Sequence, residues 1–336
     1  MSTTLLILAL VVAAALAFDY INGFHDAANA VATVVSTGVL PLRTAILLAA
    51  LLNFAGALTG TAVAATIGTG LIEAGAVTQV VVLSALLGAI FWNLVTWYFG
   101  IPSSSSHALV GGLAGSALAH AGGRAIHIPG LVKVVQSLII SPLVGFGLAF
   151  VLMITLMWVC RKGNPSRLSR SFRHLQIASA GFMAVSHGSN DAQKTMGIIA
   201  MSLAVYSGGS HAAEHFDVPV WVMAACATAM GAGTMAGGLR IIKTMGTKII
   251  DLKPIHGFAA ETSSAVTILA ASHLGLPVST THVISGAIMG VGSSQRVSAV
   301  RWGVTARIAW AWVLTIPISA AVSWGCYHPI GLILGY

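Results

Sequence analysis

The sequence predicts an all-α polytopic membrane protein, built as an inverted-topology repeat with two proline-broken helical hairpins. Three observations predict it. Charged residues make up 7% of the 336 while hydrophobic residues make up 57%, and the mean hydropathy is +0.91; a soluble domain carries about 25% charged residues. Apolar stretches near 20 residues recur along the chain, the length that crosses a hydrocarbon core of about 30 Å. The backbone must satisfy itself at that depth, and the runs lack period-two alternation, so helices rather than a barrel are expected. Finally, two short blocks of sequence recur in the same order in both halves of the chain.

The charges set the threading. The net charge is +8, but the basic residues crowd into Arg161, Lys162, Arg167, Arg170 and Arg173, then Arg240, Lys243, Lys248 and Lys253, then Arg296 and Arg301. The positive-inside rule places these stretches in the cytoplasm, so the charge is a topology signal and no nucleic-acid partner is expected. Forward from 161–174, a span over 175–206 reaches an outer loop at 207–217, which holds His211, Glu214, His215 and Asp217 and no Lys or Arg. A span over 219–239 returns to the basic stretch at 240–253. Backward, 134–160 enters from outside, 44–66 joins Arg43 inside to an outer loop at 67–79, and 5–37 starts outside. Arg124 and Lys133 in an outer loop run against the rule. No Lys or Arg precedes the first apolar stretch, so a cleaved signal peptide is not expected. Cys160, Cys226 and Cys326 are widely separated and read as small packing residues.

The repeat lies in two pairs of blocks. Gly23-Phe24-His25-Asp26-Ala27 matches Gly188-Ser189-Asn190-Asp191-Ala192 at an offset of 165. Gly100-Ile101-Pro102-Ser103-Ser104-Ser105-Ser106-His107 matches Gly275-Leu276-Pro277-Val278-Ser279-Thr280-Thr281-His282 at an offset of 175. The organisation read from them is a first repeat over 1–119, with its acidic motif at 18–30 and a hairpin over 82–119. A connecting span and basic loop follow over 120–174. A second repeat covers 175–292, with its acidic motif at 186–197 and a hairpin over 255–292, and a C-terminal span covers 293–336. The charge threading runs the two acidic motifs in opposite directions, the pattern of many secondary transporters.

The chemistry sits in those blocks. Asp26 and Asp191 lie inside apolar stretches, where an ionised carboxylate costs about 2.5–3.5 kcal/mol, so both are candidate coupling-ion or proton sites. Glycines and asparagines around them are expected to weaken the helix and free carbonyls for a cation. The Pro-Ser/Thr-His blocks read as helix starts at membrane depth, with proline in the first turn. Their positive ends and the hydroxyls of Ser104, Ser105, Ser106, Ser279, Thr280 and Thr281 suit an oxyanion. Asn29 and Asn190 are further polar candidates for the substrate. His107 and His282 follow the hydroxyls in both halves and are candidate hydrogen-bond donors or proton carriers; His25 and His187 flank the acidic motifs. Glu261 is a third carboxylate in an apolar segment, with Leu86 at the matching position. Lys194 stands where the first half has Asn29, placed to pair with Asp191, to meet an anion, or to stand in for a cation. No metal-ligand spacing is present.

These residues resemble the inorganic phosphate transporter (PiT) family. Asn22-Gly23-Phe24-His25-Asp26-Ala27-Ala28-Asn29-Ala30 and Ser186-His187-Gly188-Ser189-Asn190-Asp191-Ala192-Gln193-Lys194 look like the bacterial form of its duplicated signature, and the likeness runs from Phe18 to about Gly292. It implies an oxyanion symporter of the bacterial cytoplasmic membrane. Phosphate is the usual substrate, H⁺ or Na⁺ the coupling ion, and a homodimer the assembly; no cofactor is implied. Sodium-coupled relatives carry an Asn-Asp pair and a later Ala-Asn in both halves; His25 and the Gln193-Lys194 pair depart from that. The departures lean towards protons, with phosphate entering as a neutral complex with a divalent metal as a further form of the cargo. The alternatives are a sulfate permease of the same family, a passive anion channel, and an intramembrane hydrolase with Asp26 and Asp191 as a dyad.

Overall fold

A computed structural model of the chain describes residues 3–208 and 216–335; His211, Glu214 and His215 of the expected outer loop lie outside them. Among the described residues there are twelve α-helices and no strand beyond one isolated bridge between Ile72 and Ile126. In chain order they are α1 (Thr3–Ser36), α2 (Leu42–Ala57), α3 (Ala62–Gly70), α4 (Gln79–Phe99), α5 (Ser105–Ala121) and α6 (Ile128–Cys160). Then follow α7 (Pro165–Tyr206), α8 (Val220–Ala236), α9 (Leu239–Thr247), α10 (Pro254–His273), α11 (Thr280–Gln295) and α12 (Trp302–Leu334). The second six repeat the lengths of the first: long, medium, nine residues, a hairpin of two, and a final helix of 33 residues.

Four helices, in α1, α4, α6 and α12, are long and apolar enough to cross a membrane, and two bent pairs extend that to six. The spans expected over 44–66 and 219–239 are these pairs: α2 meets α3 at 69° and α8 meets α9 at 72°. Gly237, at φ +68°, makes the second bend possible, since an L side chain would be strained there. The basic stretch 240–253 is therefore partly helix, with Arg240 and Lys243 on α9. The outermost helices are α6 and α12, where Leu143 is 67% and Trp310 66% exposed; an apolar face of that kind belongs against lipid tails.

The two sets of six exchange partners. α1 packs on α8 while α7 packs on α2, and α5 lies against α12 while α11 lies against α6. The approaches are equivalent residue by residue. A Cβ on Gly56 would strike the Val185 carbonyl, and one on Gly233 the Tyr20 carbonyl. One on Gly111 or Gly115 would strike Ile316 or Ala320, and one on Gly286 or Gly290 would strike Pro142 or Phe146. Small residues let helix backbones come this close where lipid gives no hydrophobic drive for packing. The hairpins are pinned alike: Thr244 donates to the Gly100 carbonyl at 2.9 Å, and Thr66 to the Gly275 carbonyl at 2.6 Å. Thus α6 and α12 are counterparts, and the sixfold helix pattern runs beyond the segments 1–119 and 175–292.

One local expectation fails. α1 and α7 are continuous helices through Asp26 and Asp191, so no break frees carbonyls there. Their glycines serve packing instead: a Cβ on Gly23 would meet the Met230 carbonyl, and one on Gly188 the Asn53 carbonyl. The breaks lie in the hairpins, where Gly100 and Gly275 take φ +65° and end α4 and α10.

Candidate functional site

Each hairpin restarts as a helix deep in the protein. Ser104 is the N-cap of α5, its Oγ accepting from His107 N–H at 3.1 Å; Ser279 caps α11 the same way through His282 N–H at 3.3 Å. Pro102 and Pro277 lie just ahead of the caps rather than in the first turn. Capping satisfies some of the free N–H groups and leaves two positive helix ends in the interior.

Both ends meet the aspartates. Ser105 Oγ donates to Asp26 Oδ2 at 2.8 Å, and Thr280 Oγ1 donates to Asp191 Oδ2 at 2.9 Å, the equivalent bond in the other half. The hairpins also cross over: Thr281 Oγ1 donates to Asp26 Oδ1 at 3.2 Å, and Ser106 Oγ accepts from Lys194 Nζ at 2.5 Å. Asn29 Nδ2 donates to Thr281 Oγ1 at 3.0 Å and Thr280 Oγ1 at 3.2 Å. His25 Nδ1 lies 2.7 Å from Asp26 Oδ1, and His187 Nε2 lies 3.1 Å from Asp191 Oδ2. All these residues are buried. One ligand atom from each of Asp26, His187 and Asp191 falls within 4.8 Å of the others, so the two halves share a single polar centre able to take a cation.

Lys194 makes the halves unequal. Its ammonium pairs with Asp191 and donates to Ser106 Oγ and to the Val278 carbonyl at 2.8 Å. A carboxylate, a hydroxyl and a carbonyl are the oxygen types that hold a hard cation; here a covalently tethered charge occupies them. In the first half Asn29, at the equivalent position, brings no charge to Asp26.

The remaining candidates lie around this centre. Asn190 bonds Ser272 Oγ at 2.9 Å on the second hairpin, and its Oδ1 is unpartnered, like Asn29 Oδ1. His107 and His282 lie in tilted contact with ring centroids 4.4 Å apart, and His282 stacks on Trp312 at 3.8 Å; neither bonds an aspartate. Glu261 stands apart on α10, accepting from Thr33, from Ser179 and from Gln176 Nε2 at 3.2 Å.

Asp19 was not among the sequence candidates. It is fully buried on α1, and neither carboxylate oxygen meets hydrogen-bonding geometry, although Thr195 and Cys226 face it. A signal was present: Asp19, Asp26 and Thr33 are spaced by seven, two helical turns, and so share one face of α1.

The fold and the centre define a multi-pass helical membrane protein whose buried polar cluster is closed by two helical hairpins. Comparison with known proteins sharpens that. The profile of the phosphate transporter family matches residues 22–167 and 160–323, and the chain belongs to this family. It is 51% identical over 323 residues, 96% of each chain, to a "Probable low-affinity inorganic phosphate transporter" of Rhizobium meliloti. A Bacillus subtilis protein of the same description is 48% identical over 99% of this chain and 100% of its own. Among solved structures, "The sodium-dependent phosphate transporter" superposes with a TM-score of 0.88 at 26% identity, over 97% of this chain and 99% of that one. These matches speak for phosphate and give sulfate no support.

Proposed function

We propose that this protein imports inorganic phosphate across the bacterial cytoplasmic membrane as a proton-coupled symporter, working by alternating access between two inverted repeats. The observation that carries the reading is the meeting of two helix N-termini, five hydroxyl or amide groups and two aspartates in one buried cluster. Helix ends and hydroxyls favour an oxyanion, whereas aspartates oppose it. Two unit charges 4 Å apart at an effective dielectric near 20 interact by about 4 kcal/mol. Lys194 already offsets Asp191, so Asp26 is the charge that must be neutralised before an anion can settle. A proton, or Na⁺ as in the sodium-dependent structural relative, arriving at Asp26 removes that repulsion. Ser105 and Thr281 then turn their hydroxyls from the carboxylate to the phosphate. Cation and anion are thereby bound together, and neither is favoured alone.

Glu261, held by three donors between α1, α7 and α10, is a second coupling carboxylate in this account. Exchange of partners between the two sets of helices supports rocking of one set against the other, and the bacterial relatives support the cytoplasmic membrane. The substrate is tested with purified protein in proteoliposomes. Uptake of labelled phosphate is expected to persist in excess sulfate and to be abolished by excess unlabelled phosphate; suppression by sulfate to the same degree would overturn the assignment.

A further inference from the structure

Asp19 has no task in the mechanism above, yet its surroundings are specific. The offsets between the halves allow the question of what occupies the equivalent place. Asp19 on α1, Thr195 on α7 and Cys226 on α8 form one small polar box. Its counterparts, shifted by 165 for α1 and α7 and by 177 for α2 and α8, are Ala184, Ala30 and Ala49, all buried in an apolar cluster. Glu261 has the same history. Its box of Thr33, Ser179 and Gln176 corresponds to Ile198, Ala14 and Val11, and Glu261 itself to Leu86, again an apolar cluster. The fold therefore packs both places without polar groups. Each half has replaced a different one of them with a buried carboxylate.

The two boxes hold their acids differently. Glu261 receives three hydrogen bonds, which offset part of the cost of burying it. Asp19 faces only the Thr195 hydroxyl and the Cys226 thiol, neither aligned as a hydrogen bond, and burying an ion with so little support is far costlier than burying a neutral acid. One hydroxyl and one thiol fall well short of the six or more oxygens a hard metal cation takes, so the box suits a proton. The charged and titratable groups facing Asp19 are Asp191 and Lys194 on α7 and the Cys226 thiol on α8. α4 brings no acidic, basic or histidine side chain, and α9 meets α1 nearer Ala32 and Ser36. Along α1, Asp19 and Thr33 lie about 10 Å to either side of Asp26 on the same face.

We infer that Asp19 is a proton-binding station of the coupling path, on the opposite side of the substrate cluster from Glu261. During turnover Asp19 releases one proton to water and regains one, with no electron transferred. The inference rests on the symport reading. It is tested in proteoliposomes with an imposed proton gradient, comparing wild type with Asp19→Asn for driven phosphate accumulation and for phosphate–phosphate exchange without a gradient. The expected result is that Asp19→Asn still exchanges phosphate but accumulates none above equilibrium. Accumulation by Asp19→Asn with the wild-type proton-to-phosphate ratio overturns the role of Asp19. Failure of the wild type to accumulate overturns the symport reading instead. If Asp19→Asn does not fold, Thr195→Val keeps the acid but removes its hydroxyl neighbour. Driven uptake should then shift its pH midpoint while exchange is unchanged, and an unshifted midpoint overturns the inference.

Discussion

Lys194 donates to a carboxylate, a hydroxyl and a carbonyl at once, and that makes it both a structural and a functional residue. Removing one member of a buried ion pair strands the other charge, at a cost of about 3–5 kcal/mol. Lys194→Met should therefore lower thermal stability in detergent, and adding Asp191→Asn should restore much of the loss; additive losses would show that the pair is not coupled. Lys194→Asn copies the first half. It should make transport depend on an added cation such as Na⁺, and unchanged rate and ion dependence would sink the idea that the ammonium stands in for one. Glu261→Gln should leave phosphate exchange and remove accumulation, read by the same two assays. At this scale the sequence was legible where chemistry repeats. Asp26, Asp191, Ser105 and Thr280 announce themselves by duplication, and they meet. Asp19 lacks a duplicate, since Ala184 stands opposite it, and it was missed for that reason; Glu261, opposite Leu86, stood out because of the apolar segment around it.

The helices are assembled by close backbone approach. Gly188 lies against Asn53 of α2, so a methyl there forces two backbones apart. Gly188→Ala should cost about 1–3 kcal/mol by overpacking, measured by thermal unfolding. Gly147→Ala, where nothing lies within 4 Å, should cost nothing, and equal effects at both sites would contradict the packing account. Hairpin breaks were readable because Gly-x-Pro stops a helix and Ser or Thr restarts one. The bends between α2 and α3 and between α8 and α9 were not, because the chain stays apolar through them and hydropathy does not register direction. Likewise the glycines near Asp26 and Asp191 signalled weakened helix on propensity, but tertiary contact with α8 and α2 uses them for packing and the helices continue.

Seen whole, the molecule joins two six-helix sets whose buried aspartate, glutamate and lysine residues differ at three points: Lys194 against Asn29, Glu261 against Leu86, and Asp19 against Ala184. The repeated blocks made the duplication visible from the chain alone. The kinship of α6 with α12 was not visible, because their likeness is in length, in lipid-facing apolar residues and in the partner each covers, not in a motif. If the sets are inverted, the loop before α7 faces the cytoplasm and the turn before α4 faces out. A single cysteine at Ser169 in an otherwise cysteine-free protein should react with an impermeant maleimide only in inside-out vesicles, and one at Thr78 only in right-side-out vesicles. Labelling of both from one side would refute the inversion. The central claim, that anion and cation move together through the shared cluster, is met most directly by phosphate uptake into proteoliposomes with H⁺ and Na⁺ gradients imposed separately. The account predicts accumulation above equilibrium under an inward proton gradient without Na⁺. Simple equilibration under both gradients would contradict it.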